Sequence, residues 1–329
     1  MPVRQTQSYL RSLFAQRGIA PRHRMGQNFL IDLNIHELIV EEASVGPDDV
    51  ILEVGPGAGA LTALMAGRGA MIVAVELDPE MAKLTQEAVA GFPSVRVLNT
   101  DALANKNTLS PIMIESVDEA LACAPSRVFK LVANLPFNVA TPVIMNLLIH
   151  PVLCPAHMVV TIQREPAERM IALPASPAFG SLSVIIQTLA EVSIVRVLPP
   201  SVFWPRPKVE STIVAIRPDA ARRAALDVAW FHDMVRKLFL HRRKNLRHVL
   251  SGIWRDQWTK TEVEVWLESL GIDGQLRAEA LGVDQFRTLA YALKKRLGHA
   301  IARPSDALHD AVDEDGDEAK GRQDDDAKD

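Results

Sequence analysis

Only two cysteines occur in the 329 residues, Cys123 and Cys154, and neither has Cys or His partners at metal-ligand spacing. That argues against a disulfide framework and a zinc site and fits a reducing cytosol, so no metal is expected. No stretch approaches the ~18 uninterrupted apolar residues of a membrane span. Residues 1–14 carry Arg4 and Arg11 but no apolar core of signal-peptide length. The chain is therefore expected to be soluble and cytoplasmic, without a membrane partner. It also lacks internal repeats.

An apolar content of 48% is ample for a core, and the length suits two domains. The net charge of −4 is unevenly spread: eleven Asp/Glu against three Lys/Arg between Asp306 and Asp329 leave +4 for the rest. An acidic tail without aromatics cannot bury enough surface to fold, so residues 301–329 are expected to be disordered. At the other end, residues 1–24 are polar and basic, with Arg17, Arg22, His23 and Arg24 close together. They read as a solvated arm.

The centre of the chain is Ile51-Leu-Glu-Val-Gly-Pro-Gly-Ala-Gly-Ala60, a short apolar run entering three alternate glycines and then a helical pattern. A strand, a glycine turn and a helix start make the first unit of a nucleotide-binding α/β sheet. Alone the motif is unspecific, since NAD, FAD and S-adenosylmethionine all use it. Further apolar runs predict buried strands at residues 71–75, 95–98, 127–133, 158–162, 192–197 and 212–216. Glu76, at the tip of the second strand, is placed to accept from two ribose hydroxyls. Asp78, before Pro79, suits a helix cap. Asp101, after the third strand, can accept from an exocyclic adenine amine.

The fourth strand runs into Asn134-Leu-Pro-Phe137. A side-chain carbonyl, a stiffened backbone carbonyl and a π face suit a planar base bearing an amino group. The Asn134 side chain and Leu135 carbonyl can each accept one N6 hydrogen of adenine, and Phe137 can stack. The same four residues would serve as a plain turn with a buried Phe, but their position at a strand end beyond a glycine turn favours the ligand reading. The proline-rich loop from Pro199 to Ser211 holds Phe203 and Trp204 either as an edge cap or as a second wall for a flipped base.

No β-rich run follows residue 218, and helical patterns cover 227–250, 261–270 and 283–297. Arg236, Lys237, Arg242, Arg243, Lys244 and Arg247 lie off the apolar face of the first, with no acid between Met234 and Leu250 to pair with them. Phosphate contact is the better account of so many cations. The expected organisation is a basic arm (1–24), an α/β domain (25–218), a helical domain (219–300) and the tail (301–329).

Taken in order, Gly26-Gln-Asn-Phe-Leu30, Glu53-Val-Gly-Pro-Gly57, Glu76-Leu-Asp78, Asn134-Leu-Pro-Phe137, Phe203-x-Pro-x-Pro-Lys-Val209, Arg242-Arg-Lys244 and Gly271-Ile-Asp273 with Arg277-Ala-Glu279 form one pattern. It resembles the bacterial small-subunit rRNA adenine N6,N6-dimethyltransferases over residues 22–297. The resemblance implies a Rossmann-like S-adenosylmethionine-dependent methyltransferase domain with a small all-α C-terminal domain. Cofactor contacts would come from Asn28, Leu30, Gly55, Glu76, Asp101 and Asn134, and catalysis from Asn134, Leu135 and Phe137. RNA would be met by Phe203, Lys208, Arg242, Arg243, Lys244 and Arg247. The implied activity is dimethylation of two adjacent adenosines in the 3′-terminal hairpin of 16S rRNA, by a monomer acting on the small-subunit precursor, with a role in subunit biogenesis. Alternatives are a non-catalytic assembly factor on the same fold and a methyltransferase of large-subunit rRNA. Phe137 stands where the bacterial enzymes usually carry Tyr, and the segment from Asp101 to Asn134 is longer than usual.

Overall fold

The computed structural model describes residues 5–22, 25–123, 126–255 and 257–297. The acidic tail, His23 and Arg24 lie outside the described residues. Seven strands form the central sheet: β1 (Asp49–Val54), β2 (Met71–Glu76), β3 (Val95–Asn99), β4 (Val128–Asn134), β5 (His157–Gln163), β6 (Ala190–Leu198) and β7 (Ser211–Pro218). Their spatial order is β3-β2-β1-β4-β5-β7-β6. The first five are parallel, and β7 runs antiparallel between β5 and β6. Each expected strand is present, displaced by one or two residues at its ends.

All six residues of β1 are buried, because helices cover both faces of the sheet. Val50, Leu52 and Val54 face one side, with α5 (Pro111–Ala122) and α6 (Ala140–Ile149). Ile51 faces the other, with α2 (Leu33–Glu42) and α3 (Ala60–Gly67). Strand order reverses between β1 and β4, which opens a crevice beyond their C-terminal ends. The segment after Asp101 folds as a small hairpin, Leu103–Asn105 against Thr108–Leu109, ahead of α5.

The N-terminal stretch is not a solvated arm. Thr6 caps α1 (Gln7–Arg17), and Leu10 and Phe14 are buried against Phe29, Met81 and Leu84. Phe14 meets Phe29 and Trp204 edge-on, both at 5.3 Å. Arg17 ties the far end of α1 to Glu87 on α4 (Pro79–Ala88). Two apolar side chains four apart make one contact face even in a polar stretch.

Beyond β5 come α7 (Arg164–Met170) and α8 (Ser181–Leu189), the latter buried nearly all round. After β7 follow α9 (Ala220–Ala224), α10 (Val228–Phe239), α11 (Leu246–Ile253), α12 (Lys260–Ser269) and α13 (Val283–Leu297). α8 packs against both α10 and α13, so the helical part shares one continuous core with the sheet. The helical pattern expected over 227–250 is two helices. It breaks at residues 240–245, where Asn245 caps α11 by accepting from His248 N at 3.0 Å. Arg242, Arg243 and Lys244 therefore sit in an exposed turn, where three adjacent cations are least costly to hold.

Candidate active site

One cleft lies over the C-terminal ends of β1, β2 and β4 and encloses about 1130 Å3, its open mouth included. Asn28, Leu30, Gly55, Glu76, Asp101, Asn134, Leu135 and Phe137 all line it. The proposed cofactor and catalytic residues thus converge, although they come from separate segments of the chain. Leu30 is buried, Asn28, Asn134 and Phe137 are half-buried, and Asp101 is exposed.

The glycine turn is packed from outside. A Cβ on Gly55 (φ +75°) would lie 2.7 Å from two ring carbons of Pro136, and one on Gly57 would lie 3.0 Å from the Phe29 ring. Glycine is thus required for the turn to meet the Asn134–Phe137 loop. The glycine N–H groups are already engaged: Gly55 donates to Val75 O (2.9 Å), Gly57 to Glu76 Oε2 (3.2 Å) and Gly59 to Pro56 O (3.0 Å). Those donors are not free to cradle a pyrophosphate. Among the described lining residues none is Lys or Arg, whereas Glu76 and Asp101 both face the cleft. Such a wall suits a cationic ligand and opposes a dinucleotide.

Glu76 is buried and also accepts from Asp78 N at 3.0 Å. Burial raises its pKa, while the hydrogen bonds from Asp78 and Gly57 pull the other way. Asp78 caps α4 through Glu80 N at 3.0 Å, as expected of it. At the end of β4, Asn134 Nδ2 donates to the Asn28 carbonyl at 3.1 Å. This fixes the amide, because only its nitrogen can donate to a carbonyl. Asn134 Oδ1 accepts from no described residue and is left for a ligand.

Several lining residues were assigned no role from the sequence. Gln5 donates to Ala58 O at 2.7 Å from far along the chain, a contact no local pattern announces. Glu53, inside a quoted motif, is 1% exposed, and its Oε2 has no hydrogen-bond partner among the described residues. Burial pushes its pKa up to about 8, so it is mostly protonated at neutral pH. His36 is likewise buried with Nδ1 unpartnered; burial lowers its pKa to about 4 and keeps the ring neutral.

The expected RNA-facing residues are not brought together with the cleft. Phe203 is 3% exposed and pairs with Leu30 in a two-stranded ribbon, so it is core and not a wall for a base. Arg247 is committed to Glu264 at 2.6 Å, and Arg242 lies 3.7 Å from Glu279. Their acids come from later in the chain, which the expectation of unpaired cations overlooked. Arg243, Lys244 and Lys208 are exposed and have no ion-pair partner among the described residues.

Known proteins share this arrangement over most of the chain. The family model described as ribosomal RNA adenine dimethylase matches residues 19–295. Ribosomal RNA small subunit methyltransferase A of Lactiplantibacillus plantarum is 36% identical over 285 residues, covering 86% of this chain and 93% of that protein. The protein of the same name from Moorella thermoacetica is 34% identical, covering 86% and 96%. Among solved structures, a dimethyladenosine transferase from Plasmodium falciparum superposes with a TM-score of 0.67 at 22% identity, covering 80% of this chain and 97% of that one. The 23S rRNA methyltransferase ErmE gives 0.57 at 26% identity, covering 81% and 100%.

Proposed function

Because the chain belongs to the ribosomal RNA adenine dimethylase family, we propose that it dimethylates adenosine N6 in small-subunit rRNA, using S-adenosylmethionine. The expected targets are two adjacent adenosines in the 3′-terminal hairpin of 16S rRNA, met by a cytoplasmic monomer during subunit biogenesis. Among the described residues no helix is long and apolar enough to cross a membrane. The observation that carries this reading is the Asn134 amide, held by its nitrogen with its oxygen free in an acidic cleft.

The donor set fits the cofactor. Glu76 would take the ribose hydroxyls and Asp101 the adenine amine, while Asn28 and Leu30 cover the ligand. With its N–H spent on Val75, Gly55 has only its carbonyl to offer the methionine ammonium. Bound there, S-adenosylmethionine supplies an electrophilic methyl group on a sulfonium.

The protein's task is to make a poor nucleophile react. The lone pair of adenine N6 is delocalised into the ring. Accepting one hydrogen at Asn134 Oδ1 and the other at the Leu135 carbonyl favours a more tetrahedral nitrogen and stabilises its developing positive charge. No strong base is required, since the amine becomes acidic only once it is alkylated. Phe137, half-exposed at the cleft, stacks on the extruded base and offsets its unstacking. Arg243, Lys244, Lys208 and the exposed Arg242, only loosely paired at 3.7 Å, are the cations left for phosphates, whereas Arg247 and Phe203 chiefly hold the fold.

The test is transfer of labelled methyl from S-adenosylmethionine to small subunits lacking the modification, followed by nucleoside analysis. N6,N6-dimethyladenosine at two neighbouring positions near the 3′ end supports the reading. Tight subunit binding without transfer would leave an assembly factor, and modification of large-subunit RNA alone would move the substrate.

A further inference from the structure

Residues 25–30 line the mouth of the cleft, and the methyl-transfer reading leaves open what anchors them. One end is held by the ribbon of Phe29–Leu30 with Phe203–Trp204, and by the Phe29 ring seated on Gly57. The middle lies against the catalytic loop. A Cβ on Gly26 (φ +67°) would come within 3.3 Å of Phe137 N and Asn138 Oδ1, and the Asn28 carbonyl accepts from Asn134. The remaining anchor is Gln27. Its Nε2 donates to Asp78 Oδ2 at 3.0 Å, and its Oε1 accepts from Arg22 N at 2.7 Å. Asp78 is 2% exposed, and its own N–H donates to the ribose-facing Glu76.

We infer that Gln27 is a positioning residue for methyl transfer. It clamps the strap to Asp78 so that the Asn28 carbonyl holds the Asn134 amide with its oxygen towards the target amine. This deepens the methyl-transfer reading and rests on it. An Asn amide presents N or O with nearly equal ease, and only its neighbours decide which. Here the deciding neighbour is a backbone carbonyl on a loop, so the amide is only as well oriented as that loop. A flipped amide would aim N–H groups at an amine whose hydrogens need acceptors. The same strap closes the cleft at the Glu76–Asp78 corner, so loosening it weakens cofactor binding and slows the chemistry together.

Gln27→Glu sets a second carboxylate against Asp78, whose Oδ2 has the exposed Arg22 guanidinium 3.4 Å away to offset only part of the repulsion. Adding Asp78→Asn rebuilds the pair with the donor on the other side, and Asn still caps α4. Two quantities decide: S-adenosylhomocysteine affinity by calorimetry, and kcat on unmodified small subunits at saturating S-adenosylmethionine. The single variant should lose about tenfold in each, the scale of a hydrogen bond to a charged group. The double variant should recover both to within about threefold. Wild-type kcat at saturation in Gln27→Glu overturns the inference, as does a loss that Asp78→Asn fails to restore, which marks a merely structural role. A parent protein that binds S-adenosylhomocysteine but transfers no methyl sinks the functional reading instead. The calorimetric rescue would still decide whether the clamp exists.

Discussion

Glu53→Gln should gain stability over the parent chain as the pH rises from 6.5 to 8. Glu53 sits on β1 at 1% exposure with Oε2 unpartnered among the described residues. Burial is the largest cause that lifts its pKa from 4.5 to about 8, with the Thr62 hydroxyl opposing and the Glu76 charge adding. Between those values the folded protein keeps a proton that the unfolded chain has lost. Stability from this group is therefore full below the unfolded pKa and falls as pH rises towards 8, by ~1.4 kcal/mol per unit. Three histidines act oppositely: the buried His36 and the half-buried His157 and His232 are each lowered, chiefly by desolvation, to about 4, so their contribution is lost as pH falls below 6.5. In the unfolded chain they are still half protonated at 6.5, but parent and variant share them, so they cancel in the difference and leave a window of about 1.5 units and about 2 kcal/mol for Glu53. Urea midpoints of both proteins at pH 6.5, 7, 7.5 and 8 give the difference directly. Parallel curves across that window would refute the assignment of a protonated Glu53.

Asn134→Ala should lower kcat by about 10²-fold or more, because an acceptor for developing charge is removed, while small-subunit binding in a filter assay stays near the parent value. Gly55→Ala should cost at least ~1–2 kcal/mol for the left-handed backbone alone. Its Cβ must also displace the Pro136 ring from 2.7 Å, so S-adenosylhomocysteine affinity should fall with the unfolding midpoint; an unchanged midpoint contradicts this. Arg243→Glu with Lys244→Glu should weaken RNA binding and flatten its dependence on log salt by roughly 0.7–0.9 for each phosphate no longer neutralised. Arg247→Gln, whose partner is Glu264, should act mainly on stability, and an equal flattening of the salt slope there would undo the distinction between the two sets.

Features that depend on one segment were legible in the sequence, and features that depend on two were not. The strands announced themselves because a strand buried on both faces must be apolar throughout, as all of β1 is buried. The cleft residues followed, since topology alone puts the ends of β1, β2 and β4 around one crevice. Composition judged residues 1–24 polar, yet Leu10 and Phe14 suffice to dock α1 once Phe29, Met81 and Trp204 are nearby. Arg242 and Arg247 looked unpaired because Glu279 and Glu264 arrive only on later elements, whereas Lys237 has its partner, Asp233, one turn earlier on α10, just outside the stretch searched for acids. Phe203 looked like a wall because its partner, Leu30, belongs to the strap near the start of the chain. The same limit hid Lys130 near the start of β4, which bonds Asp49 at 2.8 Å and the carbonyls of Ala43 and Ser44 and joins the end of α2 to the edge of the sheet opposite the cleft. At the C-terminal end of that strand, Asn134 takes its orientation from a loop that precedes it by most of the domain. An amide has no preferred face of its own, so what this asparagine can do was never a property of its local motif. It is a property of where residues 25–30 are held, which is why Gln27 and Asp78 bear on the chemistry without touching the reacting atoms.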